Sequence, residues 1–253
     1  VLICQLLDHH TEAMIGITES FMNKKTNVRE DMAVNKKWVV YLVALFGLSA
    51  FDALAIKANI GVAPLEAMQV SFSELSSIKV GTIAIMINFV FIIMQIVLLK
   101  KEFKRSQYLQ FFISFLSGFM VNLWLYDVYR FPVNSYWVRI GLLLLSYLGS
   151  TFFLGIVVSL DLITMSLEAF CMAFSRKKNI SFSKIRQIAD VVNTVISVLL
   201  SLLFHLGFAV REGSVLAMLI YAPILGYFMK KETPILKKYG LLSDRENAQV
   251  TSE

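Results

Sequence analysis

The sequence predicts an all-α fold: a polytopic membrane helical bundle built from two related halves. Three observations carry this reading. Of 253 residues, 57% are hydrophobic and 17% charged, whereas a soluble domain carries about 25% charged residues. The apolar residues come in continuous runs rather than in stripes at helical spacing, the mark of helices surrounded by apolar matter on every side. A pattern of long and short runs also occurs twice along the chain.

The first run, residues 38–56, ends at Lys57. A short one, 61–72, is interrupted by Pro64 and Glu66. Residues 80–99 follow, closed by the basic cluster from Lys100 to Arg105, and then runs 108–125 and 137–160. A second short run, 162–174, is closed by Arg176, Lys177 and Lys178; runs 185–208 and 215–229 complete the series, the last ending at Lys230 and Lys231. A span needs about 20 residues. Five runs meet this, the eighth is slightly short, and the two short ones reach through half a bilayer.

The net charge of +6 raises nucleic acid as a partner, but the lysines and arginines lie between apolar runs, where they anchor topology. No nucleic acid is therefore expected. The polar residues 1–35 lack the apolar core and cleavage site of a signal peptide. Met32 to Lys37 resembles a natural start, so residues 1–35 are expected to be a polar extension, with 1–31 either weakly ordered or outside the native protein. The membrane domain is placed at 36–231, with halves at about 36–130 and 135–231, and a cytoplasmic tail at 232–253, polar and disordered from Ser243.

Sliding the chain by 102 residues aligns Leu65-Glu66-Ala67 with Leu167-Glu168-Ala169, Phe72-Ser73 with Phe174-Ser175, and Asn88 with Asp190. The matches fall on the same element of each half, as an internal duplication requires. Two topologies compete. If all eight runs cross, the cluster at Lys100–Arg105 falls on the side opposite Lys36 and Lys37. If the short runs enter and leave on one side, every basic cluster falls on one face, as the positive-inside rule favours. The second arrangement has six spans, two half-helices and inverted halves, a plan shared by many secondary transporters.

Glu66 and Glu168 lead the candidate site residues. A charge within hydrocarbon costs roughly 2.5–3.5 kcal/mol, so it is normally sheltered and often functional. Each carboxylate either lines a site for a small solute or cation, or caps a helix start by accepting backbone N–H groups. Gly61 and Pro64 break the backbone nearby, which lipid tolerates only where protein shields it. Arg186 and Asp190, four apart on one helix face, form a structural ion pair; Asp190 alternatively joins Glu168 at the site. Asn88 is a further ligand candidate, and Asn193 an interhelical hydrogen-bonding group. Asp52 and Lys57 are expected at the interface, with Lys57 snorkelling, and His205 at a helix end. The aromatic residues Trp124, Tyr126, Tyr136 and Trp137 mark an interfacial belt.

Cys4 and Cys171 make no disulfide framework, and Cys171 fits a buried apolar position. His9 and His10 lack further ligands nearby. No metal site, cofactor motif, nucleophile with its base, or nucleotide loop is present, so no enzyme activity is expected.

The tract from Lys57 to Met68 resembles the signature of the YczE/YyaS/YitT family of bacterial integral membrane proteins. Gly61 and Pro64 match that signature, whereas Leu65 and Glu66 stand where the family has Trp and Asp. Ile185 to Asp190 resembles its Arg-x-x-x-Asp stretch, and Gly213-Ser214 with Tyr221 to Phe228 its glycine-rich turn and final span. The resemblance covers about residues 38–231 and implies a multi-pass protein of the bacterial cytoplasmic membrane. The expected function is a small-solute or cation transporter-like protein with a carboxylate-lined centre and both termini cytoplasmic. The alternative is a non-transporting scaffold or regulator, acting as a homo-oligomer or with a partner membrane protein.

Overall fold

The computed structural model of the protein describes residues 34–242. Expectations for Cys4, His9, His10, Met32 and the tail beyond 242 lie outside the described residues. Within them the chain forms eight helices: α1 (Val34–Ala58), α2 (Pro64–Ser76), α3 (Val80–Leu99), α4 (Leu109–Asn122), α5 (Tyr136–Leu160), α6 (Ser166–Lys178), α7 (Phe182–Leu203) and α8 (Glu212–Lys238). α4 runs on through a π-helical turn, Leu123–Val128. Counting that extension, α1, α3, α4, α5, α7 and α8 are long and apolar enough to cross a membrane. At about 1.5 Å per residue, the 13-residue α2 and α6 reach about 20 Å, short of a hydrocarbon core near 30 Å.

Two boundaries differ from the sequence reading. Residues 34 and 35, the first described, are already helical. α8 continues through Lys230, Lys231 and Pro234 to Lys238, which takes the first seven residues of the expected tail into the helix. The apolar stripe explains it: Leu236 lies one turn beyond Glu232, and both are buried.

The repeat is carried into atomic detail. Shifted by 102 residues, the bounds of α1 become those of α5, and the bounds of α2 become those of α6. Left-handed backbone at Asn59 and Ser77 recurs at Asp161 and Asn179. Ser73 Oγ donates to the Ile78 carbonyl and Ser175 Oγ to the Ile180 carbonyl, closing each half-helix hairpin alike. Ser197 Oγ donates to the Ala67 carbonyl at 3.2 Å, and its counterpart Gln95 Nε2 to the Ser166 carbonyl at 3.1 Å. Each half-helix thus packs on the long helix following the other, α2 on α7 and α6 on α3.

Contacts between element ends decide the topology. Lys177 Nζ donates to the Leu98 carbonyl at 2.8 Å, so the end of α6 shares a face with the end of α3. Arg139 Nη1 donates to the Asn59 carbonyl at 3.5 Å, joining the start of α5 to the end of α1. Eight crossings would hold both pairs a membrane apart; six crossings with two half-helices bring them together. All the basic clusters then lie on one face, called the basic face below.

The halves meet where α1 crosses α5. A Cβ on Gly47 would run into the Phe153 ring, and a Cβ on Gly149 into the Phe51 ring; the two contacts are related by the same shift of 102. The rings stack at 5.9 Å with 27° between planes. Gly47→Leu and Gly149→Leu should each destabilise by about 1–3 kcal/mol through overpacking. Gly226→Leu, where a Cβ meets no atom within 4 Å, should change little. The unfolding midpoint of detergent-purified protein checks all three.

Candidate functional site

α2 starts inside the bundle because Pro64 occupies its first turn, where a missing N–H costs nothing. The chain reaches it through residues 59–63, whose backbone is satisfied by protein. Gly213 N–H donates to the Ile60 carbonyl at 2.8 Å, Val62 N–H to the Ala209 carbonyl at 3.4 Å, and Ser214 Oγ to the Val62 carbonyl at 2.6 Å. Gly61 adopts φ 114°, and a Cβ there would lie 2.8 Å from the Ser214 nitrogen. A glycine is needed on both counts.

Glu66 sits in the first turn of α2, at the third helical position, where the Ala63 backbone N–H interacts favourably with its carboxylate. It does more than cap. Asp52 of α1 lies within its electrostatic range, so the two carboxylates repel one another when both are charged. Both side chains are half-buried, and neither forms an ion pair among the described residues. Asp52 lies six residues before the end of α1, about 9 Å inside it. It packs among the helices rather than standing free at a helix end, because α1 runs on to Ala58.

Two tyrosines close this centre. Tyr147 of α5 and Tyr221 of α8 pack edge to face at 6.0 Å. Both feel the charge of Glu66, and Tyr221 also that of Asp52. Tyr147 Oη donates to the Gly213 carbonyl at 3.0 Å, and the hydroxyls of Tyr221 and Ser150 share a hydrogen bond. Sequence reasoning missed Tyr147, Ser150 and Tyr221, which carry no signal inside apolar runs. Asp52 did carry one, a charge within a span.

The second half-helix is arranged differently. Glu168, in the first turn of α6, lies 3.5 Å from Arg186 Nε, and Arg186 also pairs with Asp190. One arginine bridges two carboxylates, with side chains 30–37% exposed. Tyr221 feels the charge of Glu168 as well as those of Asp52 and Glu66. Asn193, one turn beyond Asp190, is buried, and its Nδ2 lacks a partner. Asn88 is half-buried on α3, and no hydrogen bond among the described residues ties it to these carboxylates. Cys171 is buried against Leu167 and Ile185. His205 ends α7 with left-handed backbone.

A recess of about 320 Å³ opens on the face opposite the basic one, lined by Asn59, Val70, Glu74, Arg211 and the loop Gly207–Ala209. On the basic face, Tyr41, Leu160, Ile163, Leu236, Leu241 and Leu242 form a closed apolar cluster. The bundle is thus indented on one face and packed with apolar side chains near the other.

The model of a family of unknown function, DUF6198, matches residues 35–230, most of the chain and all of the repeat. The chain belongs to this family. No curated protein and no solved structure matches it. The family match covers both half-helices and every carboxylate described above, with Glu232 just beyond it.

Removing the bridging cation should strand two carboxylates. Arg186→Met should destabilise by about 1–3 kcal/mol, less than the 3–5 kcal/mol of a fully buried pair because each group is about one-third exposed. Adding Glu168→Gln to that variant should restore part of the loss, measured by thermal unfolding.

Proposed function

We propose that the protein carries a small monovalent or organic cation, bound between Asp52 and Glu66, across a bacterial cytoplasmic membrane with both termini cytoplasmic. It does so without catalysing a reaction. The observation that carries this reading is the Asp52–Glu66 pair: two electrostatically coupled carboxylates with no ion-pair partner among the described residues, while Arg186 is engaged by Glu168 and Asp190. A cation between them removes their repulsion and the cost of holding charge away from water. The faces of Tyr147 and Tyr221 suit an organic cation. No third metal-ligating side chain joins the pair among the described residues, which favours a weakly coordinated cation over a chelated transition metal. Inverted halves with a recess on one face and apolar packing near the other fit a carrier caught with one side open. The resemblance to the YczE/YyaS/YitT family fits a bacterial multi-pass protein in the same membrane.

A second reading, a scaffold that binds no solute, is favoured by the Ala63–Glu66 cap and the Arg186 bridge, both of which give carboxylates a structural task. Thermal stability against a panel of inorganic and organic cations separates the two. A ligand at 100 times its Kd should add about 2.7 kcal/mol, lost in Asp52→Asn and in Glu66→Gln and kept in Asn88→Ala. No shift from the whole panel in folded protein, or a shift kept by both acidic variants, contradicts the carrier reading.

A further inference from the structure

Glu232 stands apart from the centre described above. It lies on α8, is 6% exposed, and neither carboxylate oxygen has a hydrogen-bond partner among the described residues. Its Oε2 rests against Gly155 of α5, where a Cβ would collide with it. One turn further along α5, the Ser159 hydroxyl is also buried without a partner. One turn along α8, Leu236 joins the apolar cluster near the basic face. The carboxyl is therefore held in a notch cut for it, directly beneath that cluster.

The surroundings offer it no cation. On α8 itself, Lys231 Nζ lies over the Tyr227 ring at 5.0 Å, and Lys230, Lys237 and Lys238 complete the charges near that end. The titratable groups of α5 nearest in sequence are Tyr147 and Asp161, at its middle and its end. From α1 the cluster receives Tyr41, whose hydroxyl donates to the Ile163 carbonyl at 3.2 Å, with Lys36 and Lys37 further toward its start. α4 contributes Ile113 to the cluster, and its nearest charges, Lys104 and Arg105, precede it. Lys37, Asp161 and Lys237 have interactions of their own, and the Glu232 oxygens take no hydrogen bond from any described residue.

An ionised carboxylate without a partner in such a place costs several kcal/mol. The docked arrangement of α8 on α5 therefore holds the neutral acid, while an undocked α8 end exposes the group to water, where a glutamate ionises at neutral pH. We propose that Glu232 is a proton-binding site, and that its proton locks the carboxyl-terminal end of α8 onto α5 to seal the basic face. The docked state binds one proton more than the undocked one. Docking is thus strongest below the ordinary glutamate range, near about pH 4, and weakens as pH rises. This inference goes beyond the carrier reading and stands whether or not Asp52 and Glu66 take a cation.

Hydrogen–deuterium exchange of the full chain in lipid nanodiscs, from about pH 5 to about pH 8, tests it. Protection of residues 156–163 and 232–242, corrected for the intrinsic pH dependence of exchange, should fall by up to about tenfold per pH unit in the wild type. Glu232→Gln, neutral at every pH, should keep these segments protected throughout. Gly155→Ala, which displaces the carboxyl, should lose that protection even at the acidic end, and serves if Glu232→Gln does not fold. Wild-type protection that ignores pH, the same pH slope in Glu232→Gln, or full protection in Gly155→Ala overturns the proposal.

Discussion

Backbone polar groups must be satisfied inside the protein wherever a chain turns within a membrane, and the rest of this structure depends on how that is done. Two half-helices begin inside the bundle, and each leaves free N–H groups at its start. The approach to α2 is held by Ala209, Gly213 and Ser214 from the second half. The approach to α6 is held by Tyr41, Gln95 and Ser114 from the first. Each half completes the backbone of the other, so neither folds into a satisfied structure alone. Gly61 and Pro64, and the paired glycines where α1 crosses α5, follow from the same demand for close approach.

The halves share a backbone and differ in charge. At the shift of 102, Asp52 corresponds to Leu154, Arg186 to Ala84 and Asp190 to Asn88. The first half thus places two carboxylates together with no cation, and the second places two carboxylates about one arginine. Glu66 and Glu168 occupy the same position in their helices, yet one faces a like charge and the other an opposite one. Duplication supplied two equivalent helix starts. One start is neutralised by Arg186, and the other has no ion-pair partner among the described residues.

Much of the architecture was legible in the sequence because lipid imposes length. Runs of about 20 apolar residues mark spans, runs of about 12 mark half-helices, and the basic clusters favoured six crossings over eight. The offset of 102 was visible in a handful of identities and is carried by the backbone from α1 to α3. The site was legible only in part. Glu66 and Glu168 stood out as charges on short segments, and Arg186 with Asp190 through helical spacing. Asp52 was read as an interfacial group from a run ended at Ile56, and its electrostatic coupling to Glu66 comes from the packing of α1 and α2, which no local pattern encodes. Tyr147, Ser150 and Tyr221 come together through packing of α5 on α8, and no local pattern encodes that. Glu232 was assigned to a tail because the lysines before it signal a membrane boundary, whereas Leu236 draws the helix onward.

The most direct test is an experimental structure in lipid nanodiscs, soaked with the cation that most stabilises the protein, at a resolution that locates bound ions. The account predicts density for that cation between the Asp52 and Glu66 carboxylates, beside Tyr147 and Tyr221, and none in Asp52→Asn protein prepared identically. Carboxylates turned apart onto backbone donors, with no density between them in either protein, would contradict it.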